Sequence, residues 1–112
     1  MSDSQLDLTF GALSDATRRA ILARLLQGEA SVTELAAPFA LTSRAISKHI
    51  AVLEAAGLVA RRSDAQRRLS VIQAQPLAQI DLWLDRYRVL WNDRFDRLQS
   101  RLEQHGEPDA QP

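Results

Sequence analysis

Between Ser31 and Gly57 the chain carries two helix starts and one forced stop in quick succession, and that spacing limits the folds open to it. Ser31-Val-Thr-Glu34 has the form of a capping box, in which the serine and the glutamate each satisfy a free amide of a first helical turn. Pro38 cannot continue the helix so begun, which must therefore be short. After the tight connection Phe39-Ala40-Leu41, Thr42 or Ser43 caps a further helix that Gly57 ends. Along that helix Ile46, Ile50 and Leu53 recur at helical spacing and define one buried face.

The flanking segments complete a mainly α chain with one small β-hairpin. Leu6, Leu8, Phe10 and Leu13 predict a first helix, interrupted near Gly11. Ser14 is the expected cap of a second helix, running through Ala16, Ala20, Ile21, Leu22 and Leu25, with Gly28 in the left-handed position after it. The β-prone runs Leu58–Arg62 and Arg67–Ile72 flank the polar tip 63–66 and predict a hairpin. Pro76 suits the first position of a last helix, expected from about Leu77 to Leu102. Residues 105–112 hold a glycine, two prolines and polar side chains, and are expected to be a flexible tail behind a single domain spanning 1–104.

Charge marks the middle of this arrangement. The 112 residues have a formal net charge of zero, yet residues 42–75 carry six basic and two acidic side chains, and both flanking segments are net acidic. Two short helices, a tight turn and a hairpin make a winged helix-turn-helix, which sets its second helix in the DNA major groove. With Ile46, Ile50 and Leu53 turned inward, Thr42, Ser43, Arg44, Ser47 and Lys48 are free to face a duplex. Arg44 can bond guanine bidentately, Ser43 and Ser47 can bond base edges or phosphates, and Lys48 suits a phosphate. Thr42 and Ser43 equally suit a purely capping role, and His49 either a phosphate contact or half-buried packing. Arg61, Arg62, Arg67 and Arg68 flank the hairpin tip as phosphate contacts, or as the charges that commonly guard an exposed strand.

The stretches Leu13-Ser-Asp-Ala-Thr-Arg-Arg-Ala-Ile-Leu22, Val32-Thr-Glu-Leu-Ala36, Ala45-Ile-Ser-Lys-His-Ile-Ala-Val-Leu-Glu-Ala-Ala-Gly-Leu-Val59 and Arg61-Arg62 resemble the ArsR-type winged-helix repressors over roughly residues 8–104. The resemblance implies a homodimer that binds an inverted-repeat operator in double-stranded DNA and represses transcription, often of its own operon. Two positions depart from the family pattern: Ala16 stands where Pro is frequent, and Ala40 where the turn often has Gly, Asn or Asp. Many members sense metals through cysteines on the helix equivalent to 31–38, and others through carboxylates and histidines on the last helix. The chain has no cysteine, and Asp81, Asp85 and Asp93 have only His105 nearby, so the expectation is the branch that does not sense metal, with no cofactor.

No glycine-rich phosphate loop and no nucleophile paired with a base suggests an enzyme. The polar start from Met1 to Thr9 lacks the form of a secretory signal, and no apolar run is long enough to span a bilayer, so a cytoplasmic protein is expected. In the last helix Leu77, Ile80, Leu84, Tyr87, Trp91, Leu98 and Leu102 trace a heptad-like seam, widened by Leu82, Trp83 and Leu90. One stripe can pack on the winged domain, and the surplus needs another partner. A second copy is the simplest, meeting Leu6 and Phe10 of the first helix and Leu84, Tyr87, Trp91 and Leu98 of the last. Two other readings stay open: Trp83, Tyr87 and Trp91 as the lining of an organic-effector pocket, and a winged-helix module that binds protein in place of DNA.

Overall fold

The computed structural model describes residues 2–104. Helices α1 (Asp3–Leu13) and α2 (Ala16–Leu25) lead into strand β1 (Ala30–Ser31), the short helix α3 (Val32–Ala36) and a 3₁₀ turn (Ala37–Phe39). Helix α4 (Ser43–Ala55), strands β2 (Val59–Asp64) and β3 (Arg67–Ile72) and helix α5 (Gln75–Gln104) complete the order. The chain divides into two compact units, one ending at Ile80 and the other beginning at Asp81, within α5.

Most of the expected elements form, and the capping chemistry sets their ends. Ser31 Oγ accepts from the Glu34 amide at 3.2 Å while Glu34 Oε1 accepts from the Ser31 amide at 3.2 Å, closing the capping box of α3. Pro38 turns the chain into the 3₁₀ turn after five helical residues. Thr42, not Ser43, caps α4, its Oγ1 accepting from the Ala45 amide at 3.1 Å. Gly57 follows that helix at a φ of 75°, a conformation side-chain-bearing residues rarely adopt.

Four expectations change. Helix α1 runs unbroken through Gly11 to Leu13, because Thr9 and Ala12 are buried on its inner face and offset the weak helix propensity of glycine. Ser14 does not cap α2; it ends α1, its hydroxyl donating to the Gly11 carbonyl at 2.7 Å, and Asp15 takes the cap by accepting from the Arg18 amide at 3.0 Å. The hairpin tip shrinks to Ala65-Gln66, since pairing extends to Asp64 opposite Arg67. The last helix starts at Gln75, with Pro76 second. The expected tail 105–112, with His105, lies outside the described residues.

One element had no expectation. Ala30–Ser31 pairs with β3, Ala30 opposite Ser70 and Ser31 opposite Leu69, so the sheet has three antiparallel strands in the order β1-β3-β2. The core of the first unit lies between this sheet and the helices. Ile21, Leu35, Ile46, Ile50, Leu53 and Leu58 are all fully buried in it, and Leu77 from the start of α5 packs against it.

Ala40, in the turn before α4, adopts the left-handed conformation (φ 54°, ψ 31°), which costs an L-residue about 1–2 kcal/mol. Ala40 is exposed, so its methyl group contributes little packing to offset this. Ala40→Gly should therefore stabilise the protein by about 0.5–1 kcal/mol after the larger unfolded-state entropy of glycine is subtracted. A higher urea midpoint at unchanged m would record it.

Candidate nucleic-acid interface

Helix α4 is held by one side and open on the other. Ile46, Ile50 and Leu53 are each 0% exposed, which fixes the rotation of the helix about its axis. That rotation turns Arg44 and Lys48 to solvent one helical turn apart, and among the described residues neither makes an ion pair. Ser43 is exposed at the first turn, while Ser47 is half-buried on the shoulder of the face. The Thr42 oxygen is engaged by the cap, which leaves its hydroxyl hydrogen to donate outward. The N-terminal end of α4, with its partial positive charge, adds to the field over this face.

His49 faces α2. It is half-buried, with Nδ1 at 3.4 Å from Arg18 Nη1 and 3.9 Å from Asp15 Oδ2. The hydrogen bond from the Arg18 amide, with the Arg18 and His49 side chains adding to it, holds the Asp15 carboxyl below the usual carboxylate range. The Arg18 guanidinium also donates to the carbonyls of Ala12 (2.8 Å) and Gly11 (3.1 Å), so one side chain ties the end of α1 to α4. Sequence reasoning missed Arg18. Nothing in its spacing marks it, because its main partners are the backbone oxygens left over at a preceding helix end.

The wing, formed by β2 and β3, carries its four arginines in two different conditions. Arg61 is half-buried and its Nε donates to Glu54 Oε1 at 3.1 Å, fastening the wing to α4. Arg62 grips Glu29 with two bonds, one of them from Nε to Oε2 at 2.9 Å. Arg67 bonds Glu34, the same carboxylate that closes the capping box of α3. Of these four, Arg68 alone is exposed without an ion pair among the described residues. The hydrogen bond from Arg62 lowers the Glu29 pKa, and the Ser31 amide does most to lower that of Glu34. Of the six cations in residues 42–75, then, Arg44, Lys48 and Arg68 make no ion pair among the described residues and the other three are matched to carboxylates.

In the second unit, α5 leaves an apolar face uncovered within the single chain. Tyr87, Trp91 and Leu98 are exposed together with Leu90, Phe95 and Leu102, and Leu84 is half-buried. Trp83 and Tyr87 stack at a tilt with ring centres 5.1 Å apart. A shallow groove of about 340 Å³ runs over Trp83, Leu84, Tyr87, Leu90, Trp91 and Arg94, residues of one helix only. On α1, Phe10 is exposed and Leu6 half-buried. Asp81 and Asp85 both engage Arg88, and among the described residues no three metal-ligating side chains gather. No helix among the described residues is long and apolar enough to cross a membrane.

A buried-backed helix with an exposed basic face, beside an arginine-bearing hairpin, defines a winged helix-turn-helix DNA-binding regulator, and comparison with known proteins agrees. Residues 13–62 match a family model described as a helix-turn-helix domain. The HTH-type transcriptional regulator Rv2034 of Mycobacterium tuberculosis is 40% identical over 81 residues, covering 72% of this chain and 76% of that protein. A crystal structure of an ArsR family transcriptional regulator superposes with a TM-score of 0.74 at 37% identity, over 82% of this chain and 95% of the other. An ArsR-like regulator from Rhodococcus sp. RHA1 gives 0.70 at 29% identity, over 87% and 92%. The chain belongs to the ArsR family of winged helix-turn-helix transcriptional regulators, a class without enzymatic activity.

Proposed function

We propose that the protein is a cytoplasmic repressor that binds an inverted-repeat operator as a homodimer, without a metal ion or other cofactor. The observation that carries the reading is the exposed pair Arg44 and Lys48, without an ion pair among the described residues, on a helix whose opposite side buries Ile46, Ile50 and Leu53. Arg44 reads a guanine in the major groove, Ser43 and Ser47 bond base edges or phosphates, and Thr42 and Lys48 meet the backbone. Arg68 is the wing's first phosphate contact, and Arg62 and Arg67 join it by exchanging partners. Arg61 and His49 act at one remove, holding the wing and α2 against α4.

The dimer closes over Leu84, Tyr87, Trp91 and Leu98 of α5, with Leu6 and Phe10 of α1 contributing. Support comes from the extent of the apolar face on α5, which a monomer would leave in water. The groove over Trp83, Tyr87 and Trp91 is walled by a single helix, which favours burial against a second protein surface over enclosure of a small effector.

Selection of bound duplexes from a random pool at fixed salt tests the whole reading. Two copies of one half-site should emerge in inverted orientation, centred about one helical turn (~34–36 Å) or a multiple of it apart. Enrichment of a lone half-site would overturn the dimer, and no enrichment at all would overturn sequence reading. Arg68→Ala should weaken binding to every duplex alike and flatten the slope of log affinity against log salt by about 1.8 for the dimer, the loss of one phosphate contact per protomer at about 0.9 each. An unchanged slope would remove the wing tip from the DNA.

A further inference from the structure

Among the described residues, Glu29 and Glu34 are the acidic side chains from outside the wing that pair with Arg62 and Arg67. Glu29 stands just before β1 and Glu34 in the first turn of α3, yet each meets an arginine of the hairpin, Arg62 and Arg67 respectively. The sheet makes this possible. Ser31 and Arg62 lie opposite the same residue, Leu69, on the two sides of β3, so the segment around β1 runs alongside the wing. Glu29 presents both carboxylate oxygens to Arg62, the fork-to-fork geometry that a guanidinium also uses toward phosphate. All four side chains are substantially exposed, between 37% and 58%, so the pairs can open without unfolding anything.

We propose that Glu29 and Glu34 are intramolecular stand-ins for phosphate, competing with the duplex for Arg62 and Arg67 and so holding down the wing's affinity for DNA. The proposal rests on the wing meeting phosphates, as put forward above. Its physical signature is in the counterions. A phosphate that captures an unpaired arginine releases a condensed cation, which steepens the salt dependence. A phosphate that takes Arg62 from Glu29 must first open an exposed ion pair that salt also screens, so the cost of opening it falls as salt rises and offsets part of the phosphate contribution. Arg62 and Arg67 therefore add less to the salt slope of the native protein than unpaired arginines would, although they are half of the wing's arginines. The low carboxyl pKa values of Glu29 and Glu34 keep both competitors charged across the neutral range.

The test uses Glu29→Gln and Glu34→Gln in the full chain, with affinity for a duplex of arbitrary sequence measured across a salt series. Both changes keep side-chain shape, and a glutamine at 34 can still accept from the Ser31 amide, so the capping box survives. A thermal midpoint for each variant confirms folding. Each variant should steepen the salt slope, by a part of the ~0.9 of one phosphate contact in each protomer, and the two together should tighten binding at low salt by roughly fivefold. The gain from Glu29→Gln should vanish when Arg62 is also changed to Ala. A gain that persists without Arg62 would mean a general charge effect, and an unchanged slope would mean the carboxylates never compete; either result overturns the proposal. Arg68→Ala separates this from failure of the wing reading. If Arg68→Ala flattens the slope and the glutamine variants do nothing, the competition alone is wrong; if Arg68→Ala also does nothing, the wing does not meet DNA.

Discussion

Trp91→Glu combined with Leu98→Glu is expected to leave a folded monomer whose operator affinity has fallen by about 100-fold to 10 000-fold. The magnitude comes from linkage. In a dimer the second recognition helix binds as an intramolecular step, and separating the copies removes that advantage, typically a factor of 10²–10⁴. Both side chains are half exposed in the single chain, 49% for Trp91 and 52% for Leu98, so glutamate there disturbs little of the fold. The same glutamates would be buried and unpaired in the proposed dimer, where desolvated charge costs several kcal/mol. Sedimentation should report a mass near 12.5 kDa for the variant against twice that for the parent, with helical content kept. A variant that still sediments as a dimer and still binds the operator tightly would place the subunit contact elsewhere.

The parts of this fold that were legible in the sequence are those set by chemistry within a few residues. The capping box of Ser31 and Glu34, the stop at Pro38, the Thr42 cap and the positive φ at Gly57 all depend on neighbours three to five positions away at most. They are enough to mark the helix-turn-helix. Where two adjacent residues both qualified, local chemistry did not choose: Ser14 and Asp15 are each good caps, and the choice fell to Asp15 because Ser14 is needed to end α1. Gly11 looked like a break because propensity is local, whereas the burial of Thr9 and Ala12 that overrides it is tertiary.

The site itself was legible in its residue types and less so in its charge. Counting residues by segment gave a basic middle third, but Glu29 and Glu34 lie outside that segment and still reach it, 33 positions away from Arg62 and Arg67. The two-residue strand β1 is what brings them there, and a strand that short has no periodicity to reveal it. A similar blindness hid Arg18, whose guanidinium meets His49 of α4 and holds the end of α1 through carbonyl oxygens that carry no sequence identity. Sequence patterns placed the helix with the exposed basic face; only the folded chain shows which of its neighbouring cations are matched to carboxylates.

Arg44→Ala is expected to weaken operator binding by about 1–3 kcal/mol per half-site and to relax the preference at one base pair while leaving the others intact. Two features support Arg44 as the proposed base reader. It sits in the first turn of α4, the end of a recognition helix that lies nearest the bases. It is also exposed and, unlike Arg61, Arg62 and Arg67, pairs with no carboxylate among the described residues, so its full hydrogen-bonding capacity is available to a groove. The loss should therefore appear on the selected operator and be much smaller on duplexes of arbitrary sequence, the reverse of the uniform loss expected for Arg68→Ala. Binding to a set of operators carrying every single base change distinguishes the two. Equal losses across that set for Arg44→Ala would make Arg44 a phosphate contact and move the reading to Ser43 and Ser47. Arg44→Lys provides the second check: it keeps the charge and loses the fork, so it should restore affinity for arbitrary duplexes but not the full preference for one base.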